Sequence, residues 1–392
     1  MLQASTEGDR DLPGKIDTME DAVTRASRSG AALLAALIAA AAFAATAAPA
    51  GAKTWIVSGA GYGHGVGMGA WGAYGYGKHG WGYKRIIGHY YRRVRVEKDR
   101  GSDRVRVLLA TRSGDVKFDG ATKACKRRLK PGNTYRAQRH GGEVRLLSGA
   151  GKRLAGCGKR LHAKGGKTID IHGVGSYRGA LEAVPGGSGG LLVVNRLDVE
   201  DYVRGSLPGE IPPDWPKQTL EAFAVAIRSI ALSTDVGGKA FDIYSDTRTQ
   251  VYGGFKLESK RTNRAAKATR HQVVTYHGKV IQATYFSSSG GRTESRFLGG
   301  PKVPYYESVK DPYDRYSPQH RWKFRFSQRE MDSRLGPYVD GRLRRIRVLK
   351  RGDSPRIVTA KLIGSRGSSK VRGDTLQVAL GLYDRWAYFK KR

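Results

Sequence analysis

Between residues 105 and 194, apolar and polar positions alternate in short runs: "RVRVLLA", "GDVKFDG", "EVRLLS", "KTIDIHG", "SYRGALEAV" and "GLLVVNRL", broken by Gly, Asn and Asp. Such alternation between turn residues predicts half-buried strands, and no helical period interrupts it. The pattern changes after "LPGEIPPDWP". Over residues 217–233, Leu220, Phe223, Ala224, Ile227 and Ala231 recur at steps of three and four, one face of an amphipathic helix. Pro216 suits its first turn, and Glu221 lies toward the positive end of its dipole. Asp214 is a candidate helix cap; Glu200 and Asp201 read as structural turn acids. Farther on, "TNRAAKATRHQVVTYHGKVIQATYFSSSGG" predicts a short helix, a hairpin turning at His277-Gly278, and a strand ending in a Ser/Gly turn. "RIRVLKRG" with "IVTAKLIGS" predicts another hairpin, and "GDTLQVALGLY" a closing helical turn. Together these give an α+β fold, mostly antiparallel, with a prominent central helix and a cleft between two lobes.

Residues 61–83, "GYGHGVGMGAWGAYGYGKHGWGY", follow neither period. A dinucleotide fingerprint needs a buried strand feeding its glycines, and a Walker loop needs Gly-Lys-Ser/Thr. No strongly apolar strand leads in, and the Walker signature is absent. Flexible linkers are Gly/Ser-rich and polar. Here Trp71, Tyr74, Tyr76, Trp81 and Tyr83 are large rings, which usually pack or bind something.

Composition adds a compartment and a charge. Residues 30–48 are an uncharged run rich in Ala and Leu, preceded by Arg25 and Arg28 and followed by "APAGA". Ala50 and Ala52 make the small-x-small pattern of a signal-peptidase site, so residues 1–52 read as a secretory signal cleaved after Ala52, with Met19 as a candidate start. A membrane anchor is the competing reading, but alanine is only mildly hydrophobic. The chain of 392 residues has 70 Lys+Arg against 34 Asp+Glu, a net +36. The first 52 residues hold six acids and four bases, so the remainder carries two charges more. Inside a cell such charge suggests nucleic acid. For an exported protein the polyanions are anionic wall polymers or lipid headgroups, and no specific nucleic acid is expected. Cys125 and Cys157, a lone pair without CxxC spacing, predict a disulfide rather than a zinc site.

Several blocks then fall into place together. "NRLDVEDYVRGSLPGEIPPDWPKQTLEAFAVAIRSIAL" resembles the core signature of the SpoIID/LytB family of bacterial cell-wall proteins, with Glu210-Ile211-Pro212 at its Glu-Met-Pro position. "FDIYSDTRTQVYGG", "ATYFSSSGGRTES" and "SVKDPYDRYSPQHRW" resemble further family blocks. Residues 61–91 resemble the block that ordinarily ends this domain, so the chain reads as a circularly permuted member. Its parts are a signal over 1–52, the displaced end over 53–95, and the main domain over 96–392 with a basic β-rich part at 100–195.

The resemblance implies lytic transglycosylation of peptidoglycan glycan strands, to 1,6-anhydro-muramyl ends. This chemistry needs one acid/base carboxyl rather than a pair. Glu210 takes that role; spacing alone would make it a solvated acid in a helix-entry turn. Candidate substrate contacts are Tyr285, Ser287, Ser289, Arg228, Gln250, Tyr252 and His64. For Arg228 a structural ion pair competes, for the serines turn bonding, and for His64 a structural role. Tyr244, Thr247, Arg248 and Thr249 stand where some members carry zinc-binding Cys and His, so neither metal nor cofactor is expected. The LytB side of the family implies the alternative, a non-catalytic wall-binding module that modulates a wall amidase. Sporulation is not implied.

Overall fold

A computed structural model describes residues 54–99, 104–187 and 189–392. The signal expected over residues 1–52 lies outside the described residues. The architecture is mixed α+β with mostly antiparallel sheets. Among the described residues the helices are α1 (Ala70–Lys78), α2 (Tyr83–Tyr90), α3 (Val199–Glu210), α4 (Lys217–Ser233), α5 (Lys260–Ala268), α6 (Gln328–Leu335) and α7 (Gly373–Leu380).

The alternating runs become two sheets of seven and six strands. In the larger, Leu191–Asp198 lies between Arg104–Arg112 and Ala180–Pro185, antiparallel to both, with Leu197 opposite Val105. Inward residues of both sheets, among them Phe118, Leu146, Leu181 and Val193, join one apolar core. Cys125 and Cys157 form a disulfide, Cα atoms 5.1 Å apart, at the basic edge of this region.

Helix α4 departs from the amphipathic stripe. Every residue from Thr219 to Ala231 is buried, because α1, α2, α3, α5 and the strand Gln272–Tyr276 surround it. A helix covered on all sides is a core helix. Asp214 is exposed and does not cap it; Pro216 occupies the N-cap position without a side-chain bond.

Helix α3 replaces the expected turn. Asp198 caps it by accepting from the Glu200 N–H at 2.8 Å. Gly205, Pro208 and Gly209 are poor helix formers, which hides it from a propensity reading. Gly205 is there for proximity: a Cβ would lie 2.6 Å from the Tyr252 ring. Glu200 and Asp201 sit in the first turn of this helix rather than in a loop.

The Gly/aromatic segment packs into the fold. Its strand Met68–Gly69 runs parallel to Tyr285–Phe286, and Tyr62 bridges Ser288. Helix α1 follows despite three glycines. At Gly72 a Cβ would stand 2.1 Å from an Asp311 carboxylate oxygen, so only glycine allows this approach.

A second, smaller core gathers Trp55, Val57, Trp322 and Phe326 with α6, α7 and the meander Leu343–Arg351, Ile357–Gly364, Ser368–Arg372. The strand Thr54–Gly59 lies between Trp322–Ser327 and Ala387–Lys391, antiparallel to both.

Candidate functional site around Glu210

Glu210 closes α3 and is 3% exposed. The Val251 N–H donates to its Oε1 at 2.6 Å. The Tyr285 hydroxyl is also hydrogen-bonded to this carboxyl. The Gln250 amide donates to the Tyr285 hydroxyl at 2.9 Å, and the Tyr202 hydroxyl donates to Gln250 Oε1 at 3.0 Å. Tyr202, Gln250, Tyr285 and Glu210 thus form one buried polar chain. Burial, and then the charge of Glu210, hold the Tyr285 phenol protonated far above its usual range. Burial does the same for Tyr202.

The other candidates divide. Tyr252 stands apart from the carboxyl; its hydroxyl donates to Asn195 Oδ1 at 2.8 Å, anchoring the strand Leu191–Asp198. His64 reaches the site through the backbone. Its Nδ1 accepts from the Val66 N–H at 3.1 Å, which leaves the ring proton on Nε2 to donate to the Tyr285 carbonyl at 3.1 Å. Burial is the main cause pushing its pKa down to about 4, with Arg356 and Arg385 adding to it. The imidazole is therefore neutral and holds Tyr285 in place. Ser287 follows Tyr285 closely; its Oγ is buried with no hydrogen-bond partner among the described residues.

Ser289 and Arg228 are both engaged within the fold. Ser289 is buried in a turn, where its N–H donates to Asp314 and its Oγ accepts from the Gly291 N–H. Arg228 is fully buried on α4, its guanidinium paired with Glu200 at 2.7 and 2.9 Å and also donating to backbone carbonyls. This is the structural ion pair that competes with a ligand role in the sequence.

Tyr202 and Trp215 escaped the sequence reading, whereas Trp71 and Tyr74 are among the rings it singled out. Tyr202 lies two helical turns before Glu210 on α3, so recognising that helix would have found it. Trp71, Tyr74 and Trp215 cluster with ring centroids 5.0–5.5 Å apart. The Trp71 backbone N–H donates to the Ser287 carbonyl at 3.1 Å, which ties this cluster to the segment after Tyr285. Glu200 and Asp201 stand at the far end of α3, roughly 14 Å away by helical rise. Neither makes a close carboxylate pair with Glu210. No cluster of three or more His, Cys, Asp or Glu suited to a metal occurs among the described residues.

Residues 187–276 match the family described as Stage II sporulation protein, SpoIID. That segment holds α3, Glu210, α4, Gln250 and Tyr252, and ends before Tyr285. An uncharacterised protein of Brachyspira hyodysenteriae is 41% identical over 138 residues, 34% of this chain and 37% of that protein. The amidase enhancer of Bacillus subtilis is 36% identical over 133 residues, 34% of this chain and 18% of its own length. Stage II sporulation protein D of Bacillus amyloliquefaciens is 27% identical over 207 residues, 48% of this chain and 59% of that protein. The chain therefore spans less than two thirds of each of these relatives.

Proposed function

This chain belongs to the SpoIID family, and from that premise we propose that it is an exported cell-wall enzyme, a lytic transglycosylase of peptidoglycan with Glu210 as both acid and base. The observation that carries the reading is the setting of Glu210: one buried carboxyl, fixed by the Val251 N–H and by Tyr285, at the family's acidic position. With Oε1 accepting from Val251, the other oxygen is the one that passes the proton in this reading. Glu210 gives that proton to the glycosidic oxygen as the bond to the anomeric carbon breaks. The C6 hydroxyl of the same sugar attacks that carbon and returns its proton to Glu210. No water is consumed, and the product is a 1,6-anhydro end. His64 and Gln250 keep Tyr285 against the carboxyl. The Ser287 hydroxyl is suited to bond a muramyl substituent, and the half-buried Trp71 and Tyr74 offer ring surface for sugar rings.

The test incubates purified protein with glycan strands, with and without stem peptides, and assays the products by mass spectrometry. Release of 1,6-anhydro-muramyl ends is expected; their absence on every substrate overturns the reading. A second reading has its own support. The likeness to an amidase enhancer, and the small exposure of Glu210, favour a wall-binding module that modulates an amidase. That module would raise the turnover of an added wall amidase while releasing no anhydro sugar itself.

A further inference from the structure

The meander Leu343–Arg351, Ile357–Gly364, Ser368–Arg372 has two contrasting faces. Inward, Ile346, Ala360, Leu362 and Val371 enter the smaller core. Outward, the registers align the residues in three rows across the strands. The middle row is Arg347 opposite Lys361 opposite Lys370. On one side lie Arg345, Ile363 and Ser368; on the other lie Lys350, Thr359 and Arg372. Six of these nine positions are cations, all exposed, and none is an acid. Arg372 pairs with Asp374 at the rim. Arg345, Arg347, Lys350, Lys361 and Lys370 make no ion pair among the described residues.

Like charges directly opposite on neighbouring strands destabilise a sheet. A basic surface that only kept the protein soluble would scatter its charges. Here three are stacked in one row, where repulsion is greatest, over a well-packed apolar underside. We propose that this face is a docking surface for a flexible polyanion, a phosphodiester-linked polymer of the cell envelope. Charges lie about 4.8 Å apart between strands and roughly 7 Å apart along them. A flexible chain with one phosphate per short repeat can follow such a grid. A bilayer is a poorer occupant, because membrane-docking faces carry many exposed apolar side chains; here the sole apolar residue of the nine, Ile363, is half-buried, and Leu349 at the bulge beside Lys350 is the one exposed apolar side chain of these strands. The proposal does not depend on the role of Glu210. Its physical consequence is to hold the protein along the wall.

The test uses the protein from residue 53 onward, with poly(glycerol phosphate) as the probe and binding measured across a salt series. R347Q/K361Q/K370Q removes the middle row. R264Q/K267Q/R270Q removes equal charge from exposed positions at and just after α5. The first triple is expected to weaken binding and to reduce the slope of log affinity against log salt by about two, three released contacts on a flexible chain. The second should leave the slope as it is. The first triple should also unfold at the same or a higher temperature without polymer, since it relieves repulsion. E210Q should bind as the unmodified protein does, which separates this surface from the glycan reading. Equal loss in both triples would reduce the effect to net charge and overturn the proposal. Preference of the face for duplex DNA or for acidic vesicles over the polymer would overturn it as well.

Discussion

Glu210 and Asp311 are both buried acids, and each makes a different prediction. Glu210→Gln keeps the shape and the acceptor for Val251 but removes the titrating proton. Release of anhydro ends should fall by roughly 10²–10⁴-fold at unchanged melting temperature; near-normal turnover removes Glu210 from the mechanism. Asp311 stands outside the proposed chemistry. Burial, then the charge of Asp314 beside it, push it up to about 8, and the Tyr90 hydroxyl donates to its Oδ1 at 2.9 Å. Folded protein therefore holds the Asp311 proton where unfolded chain has lost it. Its contribution to stability is full below about pH 4 and is lost as pH rises toward 8. His64 acts in the opposite sense: with its pKa pushed down to about 4, stability rises between about pH 4 and 6.5. The two offset each other at acid pH, and Asp311 alone acts from about 6.5 to 8. Asp311→Asn, which still accepts from Tyr90, should remove the decline in that upper window, as followed by urea unfolding at a series of pH values. An unchanged pH profile would mean Asp311 is ionised in the folded protein.

Helices α3 and α4 meet through the Arg228–Glu200 pair, both members buried. Removing one partner leaves the other charged and uncompensated, so Arg228→Met should cost about 3–5 kcal/mol. Adding Glu200→Gln should recover a substantial part, since the amide oxygen still accepts from the His271 N–H. Urea midpoints of the single and double variants measure both effects. If Arg228→Met left stability intact and instead weakened glycan binding, the residue would hold ligand rather than Glu200. At this scale the sequence was read unevenly. The apolar period of α4 was plain because Leu220, Phe223 and Ile227 carry it. Helices α1 and α3 were hidden by glycines whose missing side chains make room for Asp311 and Tyr252, partners far along the chain.

Thr54 and Arg392 exchange backbone hydrogen bonds, 3.1 and 2.9 Å, at the open end of an antiparallel pair in which Lys391 faces Trp55. A short hairpin turn could join them. We propose that residues 53–95 are the end of the family domain carried at its front. Support comes from this adjacency and from the packing of Met68 and Gly69 beside Tyr285 and Phe286, the strand that leads to the site. A rearranged chain starting at residue 104, linked from 392 to 54 by a two- or three-residue turn and ending at residue 99, should fold with a similar melting temperature and keep the activity of the original order. Failure of that chain to fold would remove the permutation.

Local periodicity lies in the sequence itself, so the strands of the β-rich region, the central helix and the hairpins after it were readable without coordinates. Family-specific blocks pointed to Glu210 before its surroundings were known, because the acid and the turn after it are contiguous. What surrounds Glu210 was not readable. Val251, Gln250, Tyr285 and His64 converge on it from separate segments, and their hydrogen bonds depend on how those segments pack. The same holds for Arg228, whose ion pair with Glu200 exists only because two helices lie side by side. It holds too for the cationic rows of the meander, since a strand shows its own alternation but not the register of its neighbours. Patterns that depend on residues close along the chain survive in one dimension; those that depend on packing and register come into being only when the chain folds.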